Sequence, residues 1–147
     1  MNYITRERVH VDRIATAWAI RRFVDPDATF QFVPRTRNVR GLDGIPFDVR
    51  GAALTHRGGR CTFEVLLETY GLDDPALKHM SRIIHSADLP QDDEPSTGLA
   101  AGVLAIFDGV RDGSDTDTER LTRGFVVCDA LYQYCQQHKY PDADIAS

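Results

Sequence analysis

The 147-residue sequence predicts an α+β fold: a small N-terminal sheet of short strands packed with about five helices, and a helix-rich C-terminal half. Three observations carry this. Apolar residues recur at helical spacing in five stretches, four of them after residue 60. Short runs alternating β-branched and aromatic residues occur early, before residue 56. The length fits one ordinary domain, 1–147, able to bury a core without disulfide or metal staples.

Val9-His10-Val11 leads into Asp12, a residue type that caps helices, and Arg13 to Val24 reads as a helix ended by Asp25-Pro26. That helix is apolar nearly all round. Ile14, Ala17 and Trp18 share a face with Arg21, which is either paired there or snorkels past Trp18 to water, the simpler expectation. Thr29 to Val33 alternates as a short strand, an Arg/Asn/Gly-rich loop follows, and Phe47 to Thr55, interrupted by Gly51, reads as further extended chain.

Thr62 to Tyr70 has helical spacing, with Phe63, Leu66, Leu67 and Tyr70 inward and Gly71 as the stop. Cys61, Glu64 and Glu68 fall on its other side and are expected to look outward. Asp73-Asp74-Pro75 starts the next helix, Ala76 to Leu89, with Leu77, Met80, Ile83, Ile84 and Ala87 as core and Lys78, Arg82 and His85 on the polar face. Pro90 to Thr97 is an acidic loop. Gly98 to Val110 is helical, with Leu99, Val103, Phe107 and Val110 inward and Gly98/Gly102 permitting close helix contact. The final helix runs to about His138 on a stripe of Leu121, Phe125, Cys128, Tyr132 and Cys135, and Asp142 to Ser147 should fray.

No apolar run reaches the roughly 20 residues of a membrane-spanning helix, and no secretory signal opens the chain, so a cytoplasmic location is expected. Cys61, Cys128 and Cys135 form no C-x-x-C pair and suit reduced thiols. Residues 1–60 carry eleven arginines against six acids, while the rest of the chain carries six basic residues against sixteen acids. Such an acidic remainder repels polyanions, and no helix-turn-helix or stacking platform is present, so nucleic acid is not expected as a partner. Walker loops, dinucleotide fingerprints and nucleophile elbows are also lacking.

Chemistry concentrates in Thr55-His-Arg-Gly-Gly-Arg-Cys-Thr-Phe-Glu64. Glycines let the backbone approach a ligand beside the free amides of a helix start, and flanking arginines favour an oxyanion. The same surroundings would lower the pKa of Cys61, making it the candidate reactive group. A plain tight turn with solvated arginines would look identical. The second candidate chemistry is a metal held by His56, Glu64, His85 and Asp88, the last two at i, i+3 on one helix face. Two imidazoles and two carboxylates suit zinc, iron or manganese. His10 reads as a histidine satisfied near a helix start, and His79 and His138 as surface residues.

Thr5-Arg-Glu-Arg, Val11-Asp-Arg-Ile-Ala, Trp18-Ala-Ile-Arg-Arg-Phe-Val-Asp-Pro, Phe47-Asp-Val, the Thr55 to Glu68 run, Gly71-Leu-Asp-Asp-Pro-Ala-Leu, Ile84-His-Ser-Ala-Asp-Leu and Asp129-Ala-Leu-Tyr occur in the order of one family. They resemble the ChrB-type chromate-resistance family over nearly the whole chain. The resemblance implies a domain linked to chromate resistance, found in full-length regulators behind an N-terminal region, alone, or beside a sulfurtransferase domain. This chain is similar to the stand-alone form. It begins at the Tyr3-Ile-Thr-Arg-Glu-Arg segment, so repression by this chain on its own is not expected.

Chromate is a tetrahedral dianion, which makes Arg13, Arg57 and Arg60 its candidate cradle and Cys61 a candidate electron donor. Three functions follow as expectations. The first is a sensing or binding domain holding a divalent metal or an oxyanion, with a small inorganic ion as its partner. The second is a metal-dependent enzyme of chromate or sulfur detoxification. The third is a structural partner domain with the acidic half and residues 90–97 as its contact surface, and a second copy of the chain or a sulfurtransferase is a further candidate partner.

Overall fold

The computed structural model describes residues 1–89 and 98–138. The acidic loop 90–97 and the C-terminal residues 142–147 therefore lie outside the described residues. Strand β1 (Asn2–Arg6) is followed by helix α1 (Val11–Ala19), which continues into a π-helical turn, Ile20–Val24, closed by the Asp25 amide on the Ile20 carbonyl at 2.7 Å. Next come β2 (Thr29–Val33), β3 (Ile45–Pro46), α2 (Thr62–Thr69), α3 (Pro75–Asp88), α4 (Gly98–Asp112) and α5 (Asp117–Gln137).

The three strands form a parallel sheet in the order β2-β1-β3, with Tyr3 opposite Phe30 and Ile45. Parallel neighbours need a crossover, and α1 supplies it between β1 and β2. The α+β expectation is met, with the sheet built from the N-terminal third of the chain and four of the five α-helices following it. Most of 47–55 is irregular rather than strand, tied back by an isolated bridge between Phe47 and Leu54.

Helix α1 is the hub because it is apolar on nearly every side. It packs against α2, α3 and α5, while α3 in turn packs on α4 and α5. Ile14 and Trp18 are buried from it, Phe63 and Leu66 from α2, and Met80 and Ile84 from α3. A β-carbon on Gly124 would lie 2.4 Å from Ile14 Cγ2, so the absence of a side chain there sets how closely α5 approaches α1. Gly98 and Gly102 make no such approach, contrary to expectation, since a β-carbon on either meets nothing within 4 Å.

Several sequence expectations shift at the surface. Tyr70 and Leu99 are exposed rather than inward, whereas His79 is buried, its Nδ1 2.8 Å from the His138 carbonyl. Arg21 does not run past Trp18. It donates to the Ala28 carbonyl at 2.9 Å and stacks over Phe30, while Arg22 covers Tyr132 and pairs with Asp129, which also accepts Trp18 Nε1. Among the described residues no helix is long and apolar enough to cross a membrane.

Candidate functional site

Asp12 belongs to the first turn of α1, with His10 as that helix's N-cap. Instead of capping its own helix, the buried Asp12 carboxylate caps α2: Oδ1 accepts the Phe63 amide at 2.9 Å and Oδ2 the Thr62 amide at 3.0 Å. The free amides at the start of α2, expected to receive an oxyanion, are thereby occupied.

Asp48 stands in the left-handed region, φ 49°, which an Asp tolerates better than a branched residue would. Arg13 fixes it, donating through Nε to Asp48 Oδ2 at 3.0 Å and through Nη2 to the Asp48 carbonyl at 2.9 Å. On the other side, the Thr62 hydroxyl donates to Asp48 Oδ1 at 2.8 Å.

His56 lies among these acids. Its Nε2 is 3.0 Å from Asp88 Oδ2 and 3.6 Å from Asp12 Oδ2, and its Nδ1 is 3.3 Å from Asp48 Oδ1. Three carboxylates, from α1, the 47–55 segment and the C-terminal end of α3, therefore meet at one imidazole in the turn before α2. Hydrogen bonding to Asp48 and then Asp88 outweighs partial burial and lifts His56 to about 9. Burial, with the charges of Asp48 and Asp88, pushes Asp12 up to about 7. Burial acts the same way on Asp48, but its bonds with His56 and Arg13 prevail and hold it below the ordinary carboxylate value. Asp12, Asp48 and Asp88 line a cleft of about 730 Å³ together with Arg8, Arg35 and Arg111.

A second group adjoins the first around the start of α2. Glu64 Oε1 accepts the Cys61 amide at 3.0 Å and lies 2.5 Å from His85 Nδ1. The predicted metal ligands are thus brought together as two pairs, His56 with Asp88 and Glu64 with His85, each completed by other residues. Asp12, read as a cap, and Asp48 were not singled out from the sequence, yet both carboxylates stand beside His56. Their signal was weak: an acid on an otherwise apolar helix, and an acid between two buried residues, Phe47 and Val49.

Cys61 corrects two expectations. It is fully buried rather than outward, and burial, followed by the charge of Asp12, drives its thiol far above the ordinary value instead of lowering it. The three arginines expected to cradle an oxyanion each have a partner within the chain. Arg13 is committed to Asp48, Arg57 Nη2 donates to the Ala53 carbonyl at 2.5 Å, and Arg60 is ion-paired with Glu68. Gly58 and Gly59, both at positive φ, close a two-residue turn in which Arg57 and Arg60 exchange backbone hydrogen bonds at 3.1 and 3.0 Å. The glycines serve that turn. His10 pairs with Asp108 at 2.8 Å, as a satisfied histidine should.

The family described as ChrB, C-terminal domain, matches residues 3–135. This chain belongs to the ChrB C-terminal domain family. Protein ChrB of Cupriavidus metallidurans is 38% identical over 133 residues, covering 90% of this chain. The ChrB-type chain described here spans 40% of that relative's length. No solved structure matches it.

Proposed function

We propose that this ChrB-type chain is a chromate-resistance domain that binds a divalent cation through Asp12, Asp48, His56 and Asp88 and senses an oxyanion beside it. The observation that carries this reading is the contact of one imidazole with three carboxylates, at 3.0 to 3.6 Å, from separate elements. The three carboxylates repel one another, and in the absence of a metal they are held by a proton on His56. A divalent cation would replace that proton and neutralise more of the charge. Three carboxylates and one imidazole form a hard donor set, which suits manganese or iron better than zinc.

The oxyanion half of the proposal moves from Arg57 and Arg60 to the cleft, where Arg8 and Arg35 lie in the same lining as the acids. A tetrahedral dianion there would contact the cation and guanidinium groups together. The same free volume favours a second reading, a metal-dependent enzyme that orients an anionic substrate against the cation.

Elemental analysis of purified protein tests the first step. Wild type is expected to carry manganese or iron, and His56→Ala and Asp48→Asn each to lose one equivalent. Wild type that stays metal-free after incubation with both ions would sink the reading. Chromate titration of the loaded protein then separates saturable binding without turnover, the sensing role, from product formation, the enzyme.

A further inference from the structure

The group at the other side of the α2 N-terminus has a different chemistry. Cys61, the N-cap of α2, Glu64 in its first turn and His85 on α3 place one thiol sulfur, one carboxylate oxygen and one ring nitrogen within 4.8 Å of one another. We infer that these three residues form a second metal site, for a thiophilic divalent ion such as zinc or cobalt, that shares no ligand with the carboxylate-rich cluster.

Donor type is the first argument. Thiolate, imidazole and carboxylate together are a zinc-type set, whereas Asp12, Asp48, His56 and Asp88 offer no sulfur. Geometry is the second. Donors around a tetrahedral zinc lie roughly 3.3–3.8 Å apart, given metal–ligand bonds of about 2.0–2.3 Å. The three donor atoms, within 4.8 Å of one another, stand near that arrangement. Cys61 is also in no disulfide, so its sulfur has no covalent partner to displace.

The surroundings supply the rest. Cys61 is fully enclosed, so the metal would sit at the inner end of the group, while Glu64 also lines a groove of about 680 Å³ between α2 and α3. Through Glu64 that groove would give an ion access from solvent. Binding displaces the thiol proton of Cys61 to solvent, and His85 coordinates through Nδ1 with its ring proton on Nε2, leaving the metal in its divalent state throughout.

Cobalt(II) titration of the reduced, metal-free protein reads this site directly, because a thiolate ligand adds a near-ultraviolet charge-transfer band that oxygen and nitrogen ligands lack. Wild type is expected to show the band at one equivalent. Cys61→Ser, a near-isosteric change at an N-cap where serine is favoured, should abolish it. His85→Gln should weaken cobalt binding roughly tenfold or more, and carries the test should Cys61→Ser fail to fold. Asp48→Asn, which removes a ligand of the first cluster, should keep the band. That result would hold even if the proposed function were wrong. No band in wild type, a band that survives Cys61→Ser, or its loss in Asp48→Asn would each overturn the second site.

Discussion

The Asp12 carboxylate, carried by α1, accepts the backbone amide of Phe63 in α2 at 2.9 Å and so makes one helix the cap of another. Its second oxygen takes the Thr62 amide, which means that a single side chain both locks α2 in place and supplies an acid to the His56 cluster. Removing it leaves two buried amides without partners, at about 1–3 kcal/mol each. Asp12→Ala is therefore expected to lower unfolding free energy by roughly 2–5 kcal/mol. Urea titration followed by circular dichroism checks this, and a loss under about 0.5 kcal/mol, the level of an ordinary surface change, would refute the cap.

Close packing of α1 on α5 rests on Gly124. With a β-carbon 2.4 Å from Ile14 Cγ2, Gly124→Ala should destabilise by about 1–3 kcal/mol through overpacking, despite alanine's better helix propensity. Pairing it with Ile14→Ala should recover part of that loss. A double-mutant cycle measures the coupling, and strict additivity would place the strain elsewhere.

Stability should depend on pH through His56. Its folded value, about 9, lies above the ordinary 6.5, so the protonated ring favours the folded state. The contribution is complete below about pH 6.5 and is lost as pH rises through 9. With chelator present, the melting temperature should fall across that window, and His56→Gln should flatten the fall. An unchanged slope in the variant would assign the effect to another group.

Native Cys61 should resist thiol reagents. Burial and a raised pKa withhold the thiolate, and Cys128 and Cys135 are buried with raised values as well, Cys135 at about 12. Disulfide-exchange titration at neutral pH is expected to find no fast-reacting thiol until denaturant is added. One rapid equivalent that disappears in Cys61→Ser would restore the electron-donor role the enclosed sulfur now argues against.

Local pattern was enough for the elements. Thr29–Val33 was readable from alternation, and α2 to α5 from apolar spacing, because each signal lies within a window of a few residues. Strand β1 was less legible: Asn2–Arg6 takes its identity from pairing with β2 on one side and β3 on the other. The same limit applied to Gly124, whose importance depends on Ile14, 110 positions away in the chain.

For the site, the sequence by itself determined the chemical neighbourhood: the turn from His56 to Glu64, the His85 to Asp88 helix end, and the family whose motifs they carry. Tertiary structure decided how those residues combine. It split the predicted ligands into two groups, added Asp12 and Asp48, enclosed Cys61, and turned Arg13, Arg57 and Arg60 onto partners within the protein. The physical reason is range. Helical and extended periodicity acts between neighbours, whereas ligand geometry, burial and charge coupling depend on side chains that only the packing of α1, α2 and α3 brings within a few ångströms.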